Sequence, residues 1–326
     1  MVITRRSLAG TAAFALLTAC GSSGGGGGST TGFAGALDSV SATGAVGNIA
    51  RMRELGIIDD AKHSTDPRWS RVAGVGFERL ANYTALLPGA IGLDVYRADR
   101  AMSVGRAPNT AIRIDGAIDA GAVTSKLKSL GAKARTFDGT TGLSFGTDNS
   151  IDPAGPLSQR LHMVNELDQV VVDPRRFAAS PSGTALGPVL GHGDPLLDAP
   201  HMRQIADCLG DVVAAIVSTP PRGHNSAVIA VGVRDPGSLG KPHEEVVCSA
   251  PADGRSDAVR AAFGRSFALS AVDPRSREPL SHYVGAAKVD TPDGTVRAVL
   301  TVQADQSPGY VFVAYQVNGA TSWDGS

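Results

Sequence analysis

"TAIRIDGAIDAGAVTSKLKSLGAKARTFDGTTGLSFG", Thr110 to Gly146, decides how this chain is read. Ile112 and Ile114 alternate with Arg113, the period of a half-buried strand. Asp119 then offers a carboxylate to the free amides of a helix start. Val123, Leu127 and Leu130 follow at helical spacing until Gly131 ends the element. Asp138-Gly139 between two further runs predicts a tight hairpin. With "VYRADRAMSVG" upstream, Val95 to Gly146 reads β-β-α-β-β.

The same order returns downstream. "LDQVVVDPRRFAAS" is a strand pair turning at Asp173-Pro174. Asp198 is the expected cap of a helix whose inward face is Met202, Ile205 and Leu209. "DVVAAIVST", "SAVIAVGV" and "EEVVCSA" read as strands, the first two joined through Pro220-Pro221-Arg222-Gly223. Ser256 is the expected cap of a helix with Val259, Phe263 and Phe267 inward. The close reads as a long hairpin: "TVRAVLTVQ" after Pro292-Asp293-Gly294, then "GYVFVAYQV".

Upstream, Val46, Ile49 and Met52, and then Val72, Leu80 and Tyr83, stand at loosely helical spacings, and Pro88 closes that region. Strands outnumber helices and few crossovers look parallel. The expected fold is therefore α+β, an N-terminal helical segment followed by two similar β-β-α-β-β halves with largely antiparallel sheets. The expected divisions are residues 1–19, 20–32, 33–150 and 151–326.

The first of these has the grammar of a secretory signal: Arg5 and Arg6, then an apolar run far too short to span a bilayer. Its end, Leu17-Thr18-Ala19-Cys20, resembles the lipobox of bacterial lipoprotein precursors. Thr4-Arg5-Arg6-Ser7-Leu8 also resembles a twin-arginine export signal. The lipobox resemblance implies cleavage before Cys20, lipidation of its thiol and acylation of the new amino terminus. It implies a protein held on the outer face of the cytoplasmic membrane or in the cell envelope. Gly21 to Gly32 would be a flexible tether with a mean reach of about 20 Å. In signal, Ala/Gly/Arg-rich style and element order, the chain is similar to uncharacterised exported lipoproteins of actinobacterial type, a likeness that implies no activity.

Composition narrows the rest. The chain has 326 residues, 42% of them hydrophobic and only 5% aromatic, with a net charge of −1. Loss of Arg5 and Arg6 with the leader makes it more acidic, which gives no long-range attraction for nucleic acid. With Cys20 assigned to lipid, Cys208 and Cys248 remain as a pair. In an oxidising compartment they form a disulfide, the alternative being two buried thiols.

Three stretches carry candidate chemistry. Gly142-Leu143-Ser144-Phe145-Gly146 matches the pattern in which a hydrolase serine sits on a strained turn between strand and helix. Here "TDNSIDPAGP" follows, and Ser144 reads as the outward residue of a hairpin strand. His192, Asp194, Asp198 and His201 fall within ten residues and supply imidazole and carboxylate ligands suited to zinc. Turn formation by Asp194-Pro195 and capping by Asp198 account for the same residues without a metal. His243-Glu244-Glu245 reads as a solvated strand edge. Gly74-Val75-Gly76 lacks the third glycine of a dinucleotide loop, and no cofactor is expected. The sequence expectation is a lipid-anchored, non-catalytic binding or interaction module of the envelope. Its partner would be an envelope protein or a small molecule. The alternatives are a serine hydrolase using Ser144 and a metal site at His192–His201.

Overall fold

The computed structural model describes residues 32–40, 50–54, 71–72, 74–105, 109–234, 241–274, 276–319 and 323–326. The leader, Cys20 and nearly all of the tether lie outside them. The strands are β1 Ala50–Glu54, β2 Arg100–Val104, β3 Ala111–Asp115, β4 Lys133–Phe137, β5 Thr140–Ser144 and β6 Gln169–Asp173. They continue with β7 Arg176–Ser180, β8 Ala214–Ser218, β9 Ser226–Val233, β10 His243–Pro251, β11 Val284–Asp290 and β12 Val296–Val302. The helices are α1 Gly32–Asp38, α2 Ala120–Ser129, α3 Pro156–Leu161, α4 Gly183–Leu190, α5 Met202–Leu209, α6 Ser256–Ser266 and α7 Tyr310–Asn318.

The fold is α+β. All twelve strands join antiparallel neighbours in the order β11-β12-β10-β9-β8-β1-β2-β3-β7-β6-β5-β4. Strand β1 joins a run of five to a run of six by pairing with both β8 and β2. In the first run of the chain, α2 carries the backbone from β3 to the far edge, and a meander returns β7 to β3. In the second, α6 carries it from β10, and the β11–β12 hairpin returns β12 to β10. The topological division thus falls between β7 and β8, because β6 and β7 pair with β5 and β3.

The turns follow their sequence signals. Asp138 and Gly139 both have positive φ, 45° and 84°, and join β4 to β5 as a two-residue loop. That conformation carries the twist of the flanking strands, and Gly139 takes it without steric cost. Asp119 caps α2, its carboxylate accepting from Ala122 N at 2.9 Å.

The continuous apolar runs of β8 and β9 reflect cover on both faces. Val228 and Ala230 face one layer, Ile229 and Val231 the other. One face carries a single core built with α1, α4 and α5, including Leu37, Leu186, Val189 and Ile205. The opposite face carries two cores. Val123, Leu127, Leu157 and Leu161 of α2 and α3 cover the first, and Val259, Phe263 and Phe312 of α6 and α7 the second. The Cys208–Cys248 disulfide links α5 to β10, across a sequence separation of 40.

Several local expectations change. Ala50–Glu54, with Met52, is a strand rather than helix, since β2 and β8 supply ladders on both sides. Pro88 stands in the first turn of the helical segment Leu87–Ala90, where its missing N–H costs nothing, so it opens a turn rather than closing a region. Asp198 ion-pairs with Arg203 at 2.8 Å, and His201 occupies the N-cap position of α5. Helix α6 begins at Ser256 itself, with Arg255 before it and no side-chain cap.

"GYVFVAYQV" is helix α7 rather than a hairpin strand. Gly309 takes φ 107° before it, and β12 already fills the ladder beside β10. The start of α7 rests on Glu245. One carboxylate oxygen accepts from Gly309 N at 2.6 Å and Tyr310 N at 3.0 Å, and the other from Val311 N at 2.7 Å. His243 Nε2 lies 3.0 Å from the same carboxylate. His243 and Glu245 are buried, so only Glu244 fits the solvated-edge expectation, paired with Arg234.

Glu245→Ala would strand three buried N–H donors and is expected to cost about 3 kcal/mol, with Glu245→Gln losing less. Replacing both cysteines by alanine is expected to cost about 2–4 kcal/mol. Urea unfolding of these variants beside the wild type measures both.

Candidate functional site

The hydrolase pattern lies in strand β5. Leu143 is buried, and Ser144 ends the strand with its hydroxyl donating to Gly146 O at 2.6 Å. A side chain at Gly142 would sit 2.4 Å from Val170 O and 2.7 Å from Phe137 Cε2. The first glycine of the pattern is therefore explained by close strand and ring packing, with no nucleophile elbow.

The four candidate metal residues are dispersed in role. Asp198 is held by Arg203, and His201 Nδ1 lies 3.2 Å from Gln204 Oε1. His192 Nε2 lies 3.3 Å from Thr140 Oγ1. Asp194 is exposed on the connecting loop. Among the described residues no group of three or more His, Cys, Asp or Glu side chains is arranged to hold a metal ion.

A polar network does form beside β5. Arg135 reaches from the edge strand β4, its guanidinium 2.8 Å from Asp148 Oδ1 and 2.9 Å from Gln169 Oε1. Its carbon lies 5.2 Å from the centre of the Phe137 ring. Ser182 donates to the second Asp148 oxygen, and Ser150 donates to Asp168. The two carboxyls diverge. Burial pushes Asp148 up, but the Gly183 N–H, Arg135 and Ser182 outweigh it and hold the group below its usual value. Burial dominates at Asp168, where nearby Glu166 and Asp148 add repulsion, and its pKa rises to about 6 despite the Ser150 hydrogen bond. Asp168 therefore exchanges a proton near pH 6, but it is buried and faces a structural network.

The accessible concave site lies elsewhere. An open basin of about 490 Å³ is lined by Arg113, Asp115, Asp173, Pro174, Arg175 and Arg176. Strand β3 supplies the first two and the β6–β7 turn the rest, and the β3–β7 pairing brings them together. Arg113 bonds Asp115 at 2.7 Å and also donates to Ser39 O and Val189 O, which ties the ends of α1 and α4 to the sheet. Arg176 pairs with Asp173 at 3.1 Å and donates to Leu190 O. The two ion pairs cancel, leaving the exposed Arg175 as the surplus cation. Its guanidinium makes no hydrogen bond or ion pair among the described residues. A rigid rim of paired charges around one unengaged guanidinium suits an anionic group. The sequence signal was present as Asp173-Pro174-Arg175-Arg176, readable as a turn; its pairing with Arg113 and Asp115 was not.

No family model and no curated protein matches the chain. Among solved structures, crystal form I of TP0453 gives a TM-score of 0.37 at 9% identity, covering 86% of this chain and 95% of that one. Crystal form III of TP0453 gives 0.43 at 8% identity, covering 85% and 96%. Similarity at this level leaves function to be argued from the site.

Asp168 makes stability depend on pH. Its folded pKa of about 6 lies above the ordinary aspartate value of 3.8, so the native state holds the proton more tightly. Its contribution is full below pH 4 and is lost as pH rises through 6. The melting temperature of the wild type should fall between pH 4 and 7 relative to Asp168→Asn, the gap flattening on either side.

Proposed function

We propose that this chain is a lipid-anchored extracytoplasmic binding module that presents the arginine-rimmed basin to an anionic group on a small ligand or an envelope partner. The N-terminal motif ending at Cys20 supports the anchor, since two or more acyl chains hold a protein stably on a bilayer surface without a spanning helix. The basin carries the binding reading. Its charged side chains are guanidiniums and carboxylates, all but Arg175 held in ion pairs, a set that recognises charge and supplies no hydroxyl or thiol nucleophile from its lining.

Two measurements test this. Cys20→Ala is expected to move the protein from the membrane pellet to the soluble fraction; retention in the pellet would remove the anchor. Titration with citrate and with inorganic phosphate, followed by calorimetry, is expected to give saturable binding that weakens about tenfold in Arg175→Ala. Both hydrogen bonds of Arg175 run through its backbone, which alanine keeps, so the variant should melt with the wild type. Equal affinity in the two proteins would remove the basin.

A further inference from the structure

The basin sits close to where the tether enters the fold. Helix α1 begins at Gly32, the last residue of the tether, and its seven residues rise about 10 Å. Ser39 follows at once, and its carbonyl accepts from Arg113 Nη1 at 2.8 Å. The basin therefore lies about one short helix from a tether whose mean reach is about 20 Å. With Cys20 lipidated, headgroups of the same bilayer come within range of the basin at high effective concentration, so that even a weak site fills.

Charge selects among those headgroups. Three guanidiniums face two carboxylates in the lining. Arg113 and Arg176 are committed to the protein itself. Beyond Asp115 and Asp173 they hold Ser39 O, Val189 O and Leu190 O, the negative ends of α1 and α4. Arg175 differs. Asp173 Oδ1 accepts from its backbone N at 2.8 Å, and its carbonyl accepts from Gly116 N at 3.0 Å. Its root is thus fixed while its guanidinium stands exposed. One surplus charge matches a monoanion, and the planar fork of a guanidinium matches two oxygens on one centre. On a glycerophospholipid surface the phosphodiester offers both, a single charge over two non-bridging oxygens. We propose, resting on the anchored, anion-binding reading above, that the basin takes the phosphodiester of an anionic glycerophospholipid in the membrane that holds the chain. That contact seats this end of the fold on the bilayer.

Vesicle cosedimentation tests this with the chain from residue 20 carrying Cys20→Ala, so that no acyl chain contributes. Three surfaces are compared. One is phosphatidylcholine alone, whose phosphates are paired with their own ammonium groups. The second adds phosphatidylglycerol, and the third adds oleate to the same surface charge. Phosphatidylglycerol should draw the chain severalfold better than either other surface, and Arg175→Ala should weaken that binding about fivefold. Arg175→Lys, which keeps the charge without the fork, should fall between, and inorganic phosphate should compete. Equal partition onto the oleate and phosphatidylglycerol vesicles would reduce the contact to surface charge and overturn the headgroup site. Arg175-dependent binding of inorganic phosphate with no preference for phosphatidylglycerol would leave the basin an anion site with its ligand in solution, overturning this inference alone. Should neither phosphate nor vesicle binding depend on Arg175, the basin reading falls with it.

Discussion

Strand β10 holds the two faces of the molecule in one register. Its alternation sends Cys248 to the face built on α1, α4 and α5, and Glu245 to the face built on α6 and α7. One residue pins α5 through a covalent bond; the other pins α7 through three N–H donors and the favourable end of its dipole. A slip of one residue in the β10 ladder would exchange the faces and break both attachments together. The order of side chains along nine residues thereby couples the two layers.

The two runs of strands repeat one plan. A meander leads to a crossing helix, and the returning strand pairs with the one that preceded the helix. Antiparallel pairing suits this plan, because hairpins need only short turns while the crossing segments carry apolar faces down to the sheet. Helices α4 and α5, which connect the two runs, both cover the face whose core is continuous.

Where neighbours in sequence are also neighbours in space, the fold was legible. The Asp138-Gly139 turn, the Asp119 cap and the Val123/Leu127/Leu130 face are local matters, and each stands where its residues place it. The misread elements answer to distant partners. "GYVFVAYQV" has strand-like composition, yet a carboxylate more than sixty positions away satisfies its first amides and makes it a helix. Helix α4 contains Pro188 and two glycines and gave no helical signal. Its Gly183 is required because a side chain there would come within 2.9 Å of the Phe137 ring. Strand β1 exists through the two ladders on its sides. The basin was invisible for the same reason: Arg113 and Arg175 meet only after β3 and β7 have paired.

Among the described residues, twelve strands in one sheet leave two unpaired margins, β4 and β11. Both carry what resists a stranger's backbone. Strand β4 displays Lys133 and Arg135, and β11 displays Lys288 beside an irregularity between Val284 and Ala286. This matters for colloidal behaviour at high local density, where collisions between copies are frequent and edge-to-edge addition would grow without limit. Gathering ten strands into the interior confines that hazard to two short, charged borders.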